Sequence, residues 1–300
     1  MKTASIITGI FAVLTCKSMA YDIAGAVANS GNNTMTIFNE SATHYKVGSQ
    51  PREVIKYNDL LIITECADKC IGIYDPNSMY RLGSINLPDE PRGLIGTKYG
   101  ILSILKDHNK LITIDPYGYS FKELTSTSEG PRNIAYDSQQ DLILISCNTA
   151  NCLDIIDPES WTRVTSITTA KNPYDVTITK DYIVVSAIGD ACIQAFSKQS
   201  YSLVWSTKNI NHPTSLAHNG KDLLVSTNFD DHQIVVLNAQ SGEILSYLST
   251  RQEPFDVTFS EGLLLVTSHK EGYLQVFNSD DLQLKKEIKV GNYPHGMCIF

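Results

Sequence analysis

The strongest constraint in this sequence is a proline that returns at a nearly fixed interval. Pro51, Pro91, Pro131, Pro173, Pro213, Pro254 and Pro294 are spaced by 40, 40, 42, 40, 41 and 40 residues. Three positions after each stands an apolar residue: Val54, Leu94, Ile134, Val176, Leu216, Val257 and Met297. A β-rich run follows, as at residues 142–145, then another, as at 153–156, then a more polar one, as at 163–167. Asp75-Pro76, Asp115-Pro116 and Asp157-Pro158 stand between the third and fourth runs, and Asn238 and Asn278 take that place later. Asp and Asn bond the backbone two residues on, and Pro presets φ, so these read as turns. A proline offers no N–H to a ladder, so each marker belongs at a strand start. No segment keeps a helical period. Four short strands per unit of about forty residues is the arithmetic of a β-propeller.

Six complete units run from Pro51 to about Val290, and the chain ends supply a seventh. Residues 294–300 read as a lone first strand; 22–28, 34–38 and 43–47 read as second, third and fourth strands. Thr36-Ile37-Phe38-Asn39 repeats Gln275-Val276-Phe277-Asn278. The expectation is an all-β, seven-bladed propeller of four-stranded blades. Its C-terminal strand pairs with the N-terminal strands, which closes the ring and removes open edges. Residues 21–300 then form a single domain, expected to be a monomer.

Residues 1–20 differ from the rest. Lys2 precedes an apolar run from Ala4 to Leu14, and Ser18-Met19-Ala20 ends the segment. That is the layout of a secretory signal, with Cys16 as the alternative lipid-anchor position. The run is too short to span a bilayer, and no other stretch reads as transmembrane. The chain is expected to be exported, to the periplasm or the cell exterior. A net charge of −8 disfavours sequence-independent nucleic-acid binding, which needs Lys and Arg against phosphate.

Beyond Cys16 there are six cysteines. Cys66 and Cys70 flank one hairpin between second and third strands, and Cys147 and Cys152 flank the same hairpin two units on. Two disulfides, Cys66–Cys70 and Cys147–Cys152, are expected; Cys192 and Cys298 are left free.

The repeats resemble the YVTN-repeat, lactonase-type seven-bladed propellers. Leu224-Val225-Ser226-Thr227-Asn228 and Leu144-Ile145-Ser146-Cys147-Asn148 carry the likeness, with Ile155-Ile156-Asp157 and Gly291-Asn292-Tyr293-Pro294. The resemblance implies architecture more than activity, because such propellers host unrelated roles.

In a propeller the first strands line the central channel, so a ligand meets the residues just after the marker prolines. Arg52, Arg92 and Arg132 form a basic arc there, with Tyr174, Phe255 and His295 elsewhere on the ring. Guanidinium forks suit carboxylate or phosphate. The expected partner is therefore a protein or a small anionic ligand at the rim. Glu53, Asp89, Glu90 and Glu129 are alternative, purely structural partners for those arginines. Asp175 and Asp256 stand two after their prolines, able to hold a divalent cation or to bond backbone amides. There is no HExxH, no GxSxG and no phosphate-cradling glycine loop, and neither a catalytic residue, a metal nor a cofactor is assigned. The reading is a non-enzymatic binding or scaffold module; the alternative is a metal-assisted lactonase-type hydrolase or lyase with a dispersed site.

Overall fold

The computed structural model describes residues 23–39 and 41–300; the expected leader lies outside them. The marker prolines start first strands: Pro51–Tyr57, Pro91–Thr97, Pro131–Asp137, Pro173–Ile178, Pro254–Ser260 and Pro294–Ile299. In the fifth unit the first strand is only Leu216–His218. The described strands form seven antiparallel four-stranded sheets, here blades 1 to 7 from Pro51 onward. Blade 7 has the order Pro294–Ile299, Gly25–Asn29, Thr34–Phe38, Ala42–Lys46. Gly25 pairs with Ile299 and Ala26 with Cys298, so the two ends of the chain close the ring as expected.

Second and third strands are apolar and continuously buried, as in Leu60–Glu65 and Cys70–Tyr74, because each blade is covered on both faces by its neighbours. Fourth strands are largely exposed, as in Leu284–Lys289. The apolar side chains gather into seven clusters, one per seam. Between blades 1 and 2, Ile62, Ile71 and Ile73 meet Ile101, Leu105 and Ile112. Between blades 7 and 1, Ala26 and Met35 meet Leu61, Ile63 and Tyr74. The expected turn residues cap the outer hairpins: Asp75 Oδ1 accepts the amides of Asn77 and Ser78 at 2.8 Å, and Asn278 Oδ1 those of Asp280 and Asp281.

Six of the seven described first strands break register just after the proline; the short fifth one, Leu216–His218, does not include Pro213. In blade 1, Pro51 pairs with Glu65 and Val54 with Ile63, so Arg52 and Glu53 together face Thr64. This is a β-bulge, which re-aims side chains and leaves an amide without its ladder partner. A second-strand hydroxyl takes that amide. Thr64 accepts Glu53 N–H at 2.9 Å, Ser146 accepts Asn133 at 3.0 Å, Ser186 accepts Asp175 at 3.1 Å, and Thr267 accepts Asp256 at 3.0 Å.

A second device latches neighbouring blades. The amide three residues before the marker proline donates to a side chain inside the blade that the chain is entering. Ser128 reaches Asp154 at 2.7 Å, Ala170 reaches Gln194 at 2.6 Å, and Arg251 reaches Gln275 at 2.8 Å. These three acceptors share one third-strand position. In blade 1 that position is Gly72, and Glu65 fills the space above it and accepts Gly48 N–H at 2.7 Å. Tyr74 and Arg81 also donate to the fully buried Glu65 carboxylate, each at 2.6 Å. In blade 2 the donor position is Pro88, which has no N–H, and the acceptor position is the apolar Ile112.

Glu65→Leu is expected to strand these donors and cost about 3–5 kcal/mol in urea unfolding. Ile112→Gln meets no donor at Pro88 and is expected to destabilise by about 1–3 kcal/mol. A neutral Glu65→Leu, or a stabilising Ile112→Gln, would remove the latch as an explanation.

Candidate functional site

The bulges deliver two residues per blade into the channel. All eight residues expected at the rim line one cavity: Arg52, Arg92, Arg132, Tyr174, Asp175, Phe255, Asp256 and His295. Glu53, Asn133, Thr214 and Ser215 complete its polar wall. The cavity holds about 60 Å³. That is far below the roughly 300 Å³ at which drug-sized pockets begin, so only a small group enters it.

The three arginines differ in how they are held. Arg92 donates to Glu90 Oε2 at 2.5 Å, which realises one structural bridge anticipated from sequence; its Nε and Nη1 are buried without a partner. Arg132 lies with its guanidinium carbon 4.1 Å from the Tyr174 ring centre and donates to the Tyr174 hydroxyl. Arg52 Nε is buried with no partner. Burial, then the neighbouring Arg92 and Arg132 charges, push the Arg52 guanidinium below its usual range. Among the described residues, no ion pair joins Glu53 to these cations. Burial raises the Glu53 carboxyl, against the pull of Arg132, Arg52 and Arg92. The arc thus collects three cations, two of which, Arg52 and Arg92, have buried donors unused.

The two aspartates take the backbone-bonding role. Asp175 accepts Val176 N–H at 2.8 Å and, across the seam, Leu216 N–H at 2.7 Å. Asp256 accepts Val257 N–H at 2.9 Å, Ser215 Oγ at 2.9 Å and, across the seam, Met297 N–H at 3.1 Å. Their oxygens are committed to holding blades together, which removes the geometry a divalent ion needs. Burial nonetheless pushes Asp175 up to about 7 and Asp256 up to about 8.

Opposite the arginines stands an aromatic arc. The Phe255 ring stacks on His269 at 4.1 Å and 4°, and His295 meets both edge-on at 4.4 and 4.5 Å. Phe229 adds edge contacts to Phe255 and His269. Burial, then Arg52, holds His269 down to about 3, and burial holds His295 well below its usual value. Both imidazoles are neutral at physiological pH, and His269 Nε2 is buried without a partner. Counting from the marker prolines does not reach His269 and Phe229. Their signal was available: each directly follows a second strand, at the hairpin that shares the rim.

All six described cysteines are free, and the expected Cys66–Cys70 disulfide is corrected by the geometry. Cys70 is the register partner of Glu65, so Cys66, one residue on, points the other way. Cys66 Sγ donates to Pro91 O at 3.1 Å and Cys70 Sγ to Glu65 Oε2 at 3.1 Å, in opposite directions. Cys147 and Cys152 are register partners but stand as thiols.

The titrating groups predict a pH profile for stability. Asp175 and Asp256 bind protons in the folded state that the unfolded chain releases above pH ~4, so they make stability fall as pH rises toward ~8. His269 and His295 refuse protons that the unfolded chain takes up below pH ~6.5, so they make stability fall as pH drops. The two effects oppose between pH ~4 and ~6.5. With the Glu53 carboxyl raised as well, urea midpoints are expected to fall gently there, to decline more steeply from ~6.5 to ~8, and to decline again below ~4. Asp256→Asn should flatten the alkaline decline; an unchanged slope would contradict the assignment.

No protein-family model matches the sequence, and no curated protein matches it. Solved structures do. A catalytically inactive histidine-to-alanine variant of virginiamycin B lyase from Staphylococcus aureus, with quinupristin, is 17% identical. That match covers 83% of this chain and 93% of the other, with a TM-score of 0.70. A functionally unknown protein from Desulfotomaculum acetoxidans matches at 13% identity over 92% of this chain and 98% of its own, with a TM-score of 0.73. The computationally designed protein Ika8 matches at 12% identity over 92% and 86%, with a TM-score of 0.69. At these identities the likeness establishes the fold: the chain is similar to seven-bladed β-propeller proteins.

Proposed function

We propose that the chain is an exported binding module whose channel mouth takes the anionic end of a ligand. That end is a carboxylate or phosphate, on a small molecule or on an acidic protein segment. The observation that carries this reading is the arginine arc: Arg52, Arg92 and Arg132 line one small cavity, and Arg52 Nε with Arg92 Nε and Nη1 are buried without an acceptor. Buried donors and clustered like charges are both costly, and an oxyanion relieves both. A cavity of about 60 Å³ admits the charged group and leaves the rest of the ligand above the rim. There Phe255 and Tyr174 offer apolar ring surface. The leader-like segment supports the exported part of the reading.

The test is calorimetric titration with inorganic phosphate, a short aliphatic carboxylate and an acidic peptide. Arg52→Ala is expected to weaken binding roughly 10- to 150-fold, the range of one charge-assisted hydrogen bond. Affinity should fall between pH ~6 and ~9, as ionising Asp175 and Asp256 offset the arginine charge. Equal affinity for wild type and the triple alanine variant would end this reading.

A second reading, an acid–base enzyme, is favoured by one observation: the neutral, unpartnered His269 Nε2 at the channel mouth. The lyase among the structural neighbours makes quinupristin the first substrate to try. Turnover abolished by His269→Ala would favour it; no turnover by wild type would exclude that substrate.

A further inference from the structure

We propose that Cys147 and Cys152 form a reversible dithiol–disulfide pair, with Cys152 as the attacking thiol and Cys147 as the resolving one. The two are direct partners across the antiparallel strands Leu142–Cys147 and Cys152–Asp157, so their Cβ atoms leave the same face of the sheet. Their sulfurs and an Asp154 oxygen all lie within 4.8 Å of one another. Directly opposed residues of an antiparallel pair fall within the Cα separation that a disulfide spans. None of the other four described cysteines has a register partner that is also cysteine: Cys70 faces Glu65, and Cys192 faces Ala187.

Exposure assigns the roles. Cys147 is fully buried, whereas Cys152 is partly exposed at the end of the hairpin, beside the exposed Thr149 and Ala150. A small reagent therefore meets Cys152 first. The adjacent Cys147 thiol, helped by Ser128 and the Arg163 charge, lowers Cys152 to about 7 against burial and Asp154, to which both thiols donate. The same surroundings raise Cys147.

The cluster is a poor metal site, because Asp154 is already committed. It accepts Ser128 N–H at 2.7 Å, Ser128 Oγ at 2.9 Å and Ser166 Oγ at 2.6 Å, and pairs with Arg163 at 3.5 Å. The two thiols remain for exchange with a small disulfide such as oxidised glutathione. The Cys152 thiolate attacks one glutathione sulfur, forms a mixed disulfide and expels one glutathione thiolate. Cys147 then loses its proton and attacks the Cys152 sulfur, expelling the second. Two protein thiols and one glutathione disulfide become one protein disulfide and two glutathione thiols. The site lies against the channel wall, since Cys147 is the register partner of Pro131, next to Arg132.

The test is to equilibrate the native full chain in glutathione buffers of graded oxidation, quench with acid, and map alkylated peptides by mass spectrometry. The expected result is a Cys147–Cys152 disulfide, about 2 Da lighter than the dithiol, reversed by reduced glutathione. Cys147→Ser should accumulate one glutathione on Cys152, and Cys152→Ser should accumulate neither adduct nor disulfide. Both variants are conservative at a hairpin end, and their circular dichroism and urea midpoints establish that they are folded. Thiols that stay fully alkylatable across the series would overturn the proposal. So would a first adduct on Cys147, or a disulfide linking any other pair.

Discussion

A hydroxyl on the second strand decides what the channel of this propeller presents. The bulge after a marker proline places two residues against one, and the amide it frees must be satisfied inside the protein. Thr64, Ser146, Ser186 and Thr267 satisfy it with one oxygen each, all buried. The turn before the bulge adds strain, with Gln50, Asn172 and Glu253 in the left-handed region at φ 51°, 53° and 60°. That local cost, about 1–2 kcal/mol per non-glycine residue, is offset by the ladder and the seam on either side. The outcome is a frame in which the residue directly after the proline varies from blade to blade, while the next one can fasten a neighbouring blade, as Asp175 and Asp256 do.

Chain variation has used that freedom asymmetrically. Blades 1 to 3 contribute arginines, and blades 4, 6 and 7 contribute Tyr174, Phe255 and His295. The two halves reinforce each other. The cations of one half help keep the imidazoles of the other neutral, since Arg52 lowers both His269 and His295. The aromatic half gives the cavity one weakly polar wall and so strengthens the field of the arginines. Asp175 and Asp256 lie beneath this arrangement as fasteners, and their burial ties the charge of the channel to pH.

How far the sequence discloses this depends on the kind of constraint. The blade boundaries are legible because proline cannot donate to a ladder, so the markers at Pro51 and its counterparts had to be strand starts. The rim residues follow by counting. Facing direction is another matter, because one residue of offset reverses it. Cys147 and Cys152 are five apart and meet across the hairpin; Cys66 and Cys70 are four apart and do not. His269 and Phe229 escape for a related reason. Their place just after a second strand is readable, but whether the side chain points to solvent or inward is set by the stack it joins, here with Phe255. The Arg92–Glu90 bridge was one option among several until side-chain geometry chose it.

The missing latch at Pro88 has a thermal consequence. Between blades 1 and 2 the contact rests on the apolar cluster around Ile62, Ile71, Ile101 and Ile112, with a thiol contact from Cys66 to Pro91, exposed bonds from Tyr117 to Asp59 and Tyr119 to Leu82, and Asp89 holding the entering segment to the His108 amide. Apolar association weakens on cooling, whereas charge-assisted bonds such as those to Asp154 do not depend on it. Cooling therefore softens this seam ahead of its latched neighbours, and Arg52 and Arg92 stand on its two sides. The seating of Arg52 against Arg92 is in this way coupled to temperature, through a single proline lying outside the cavity.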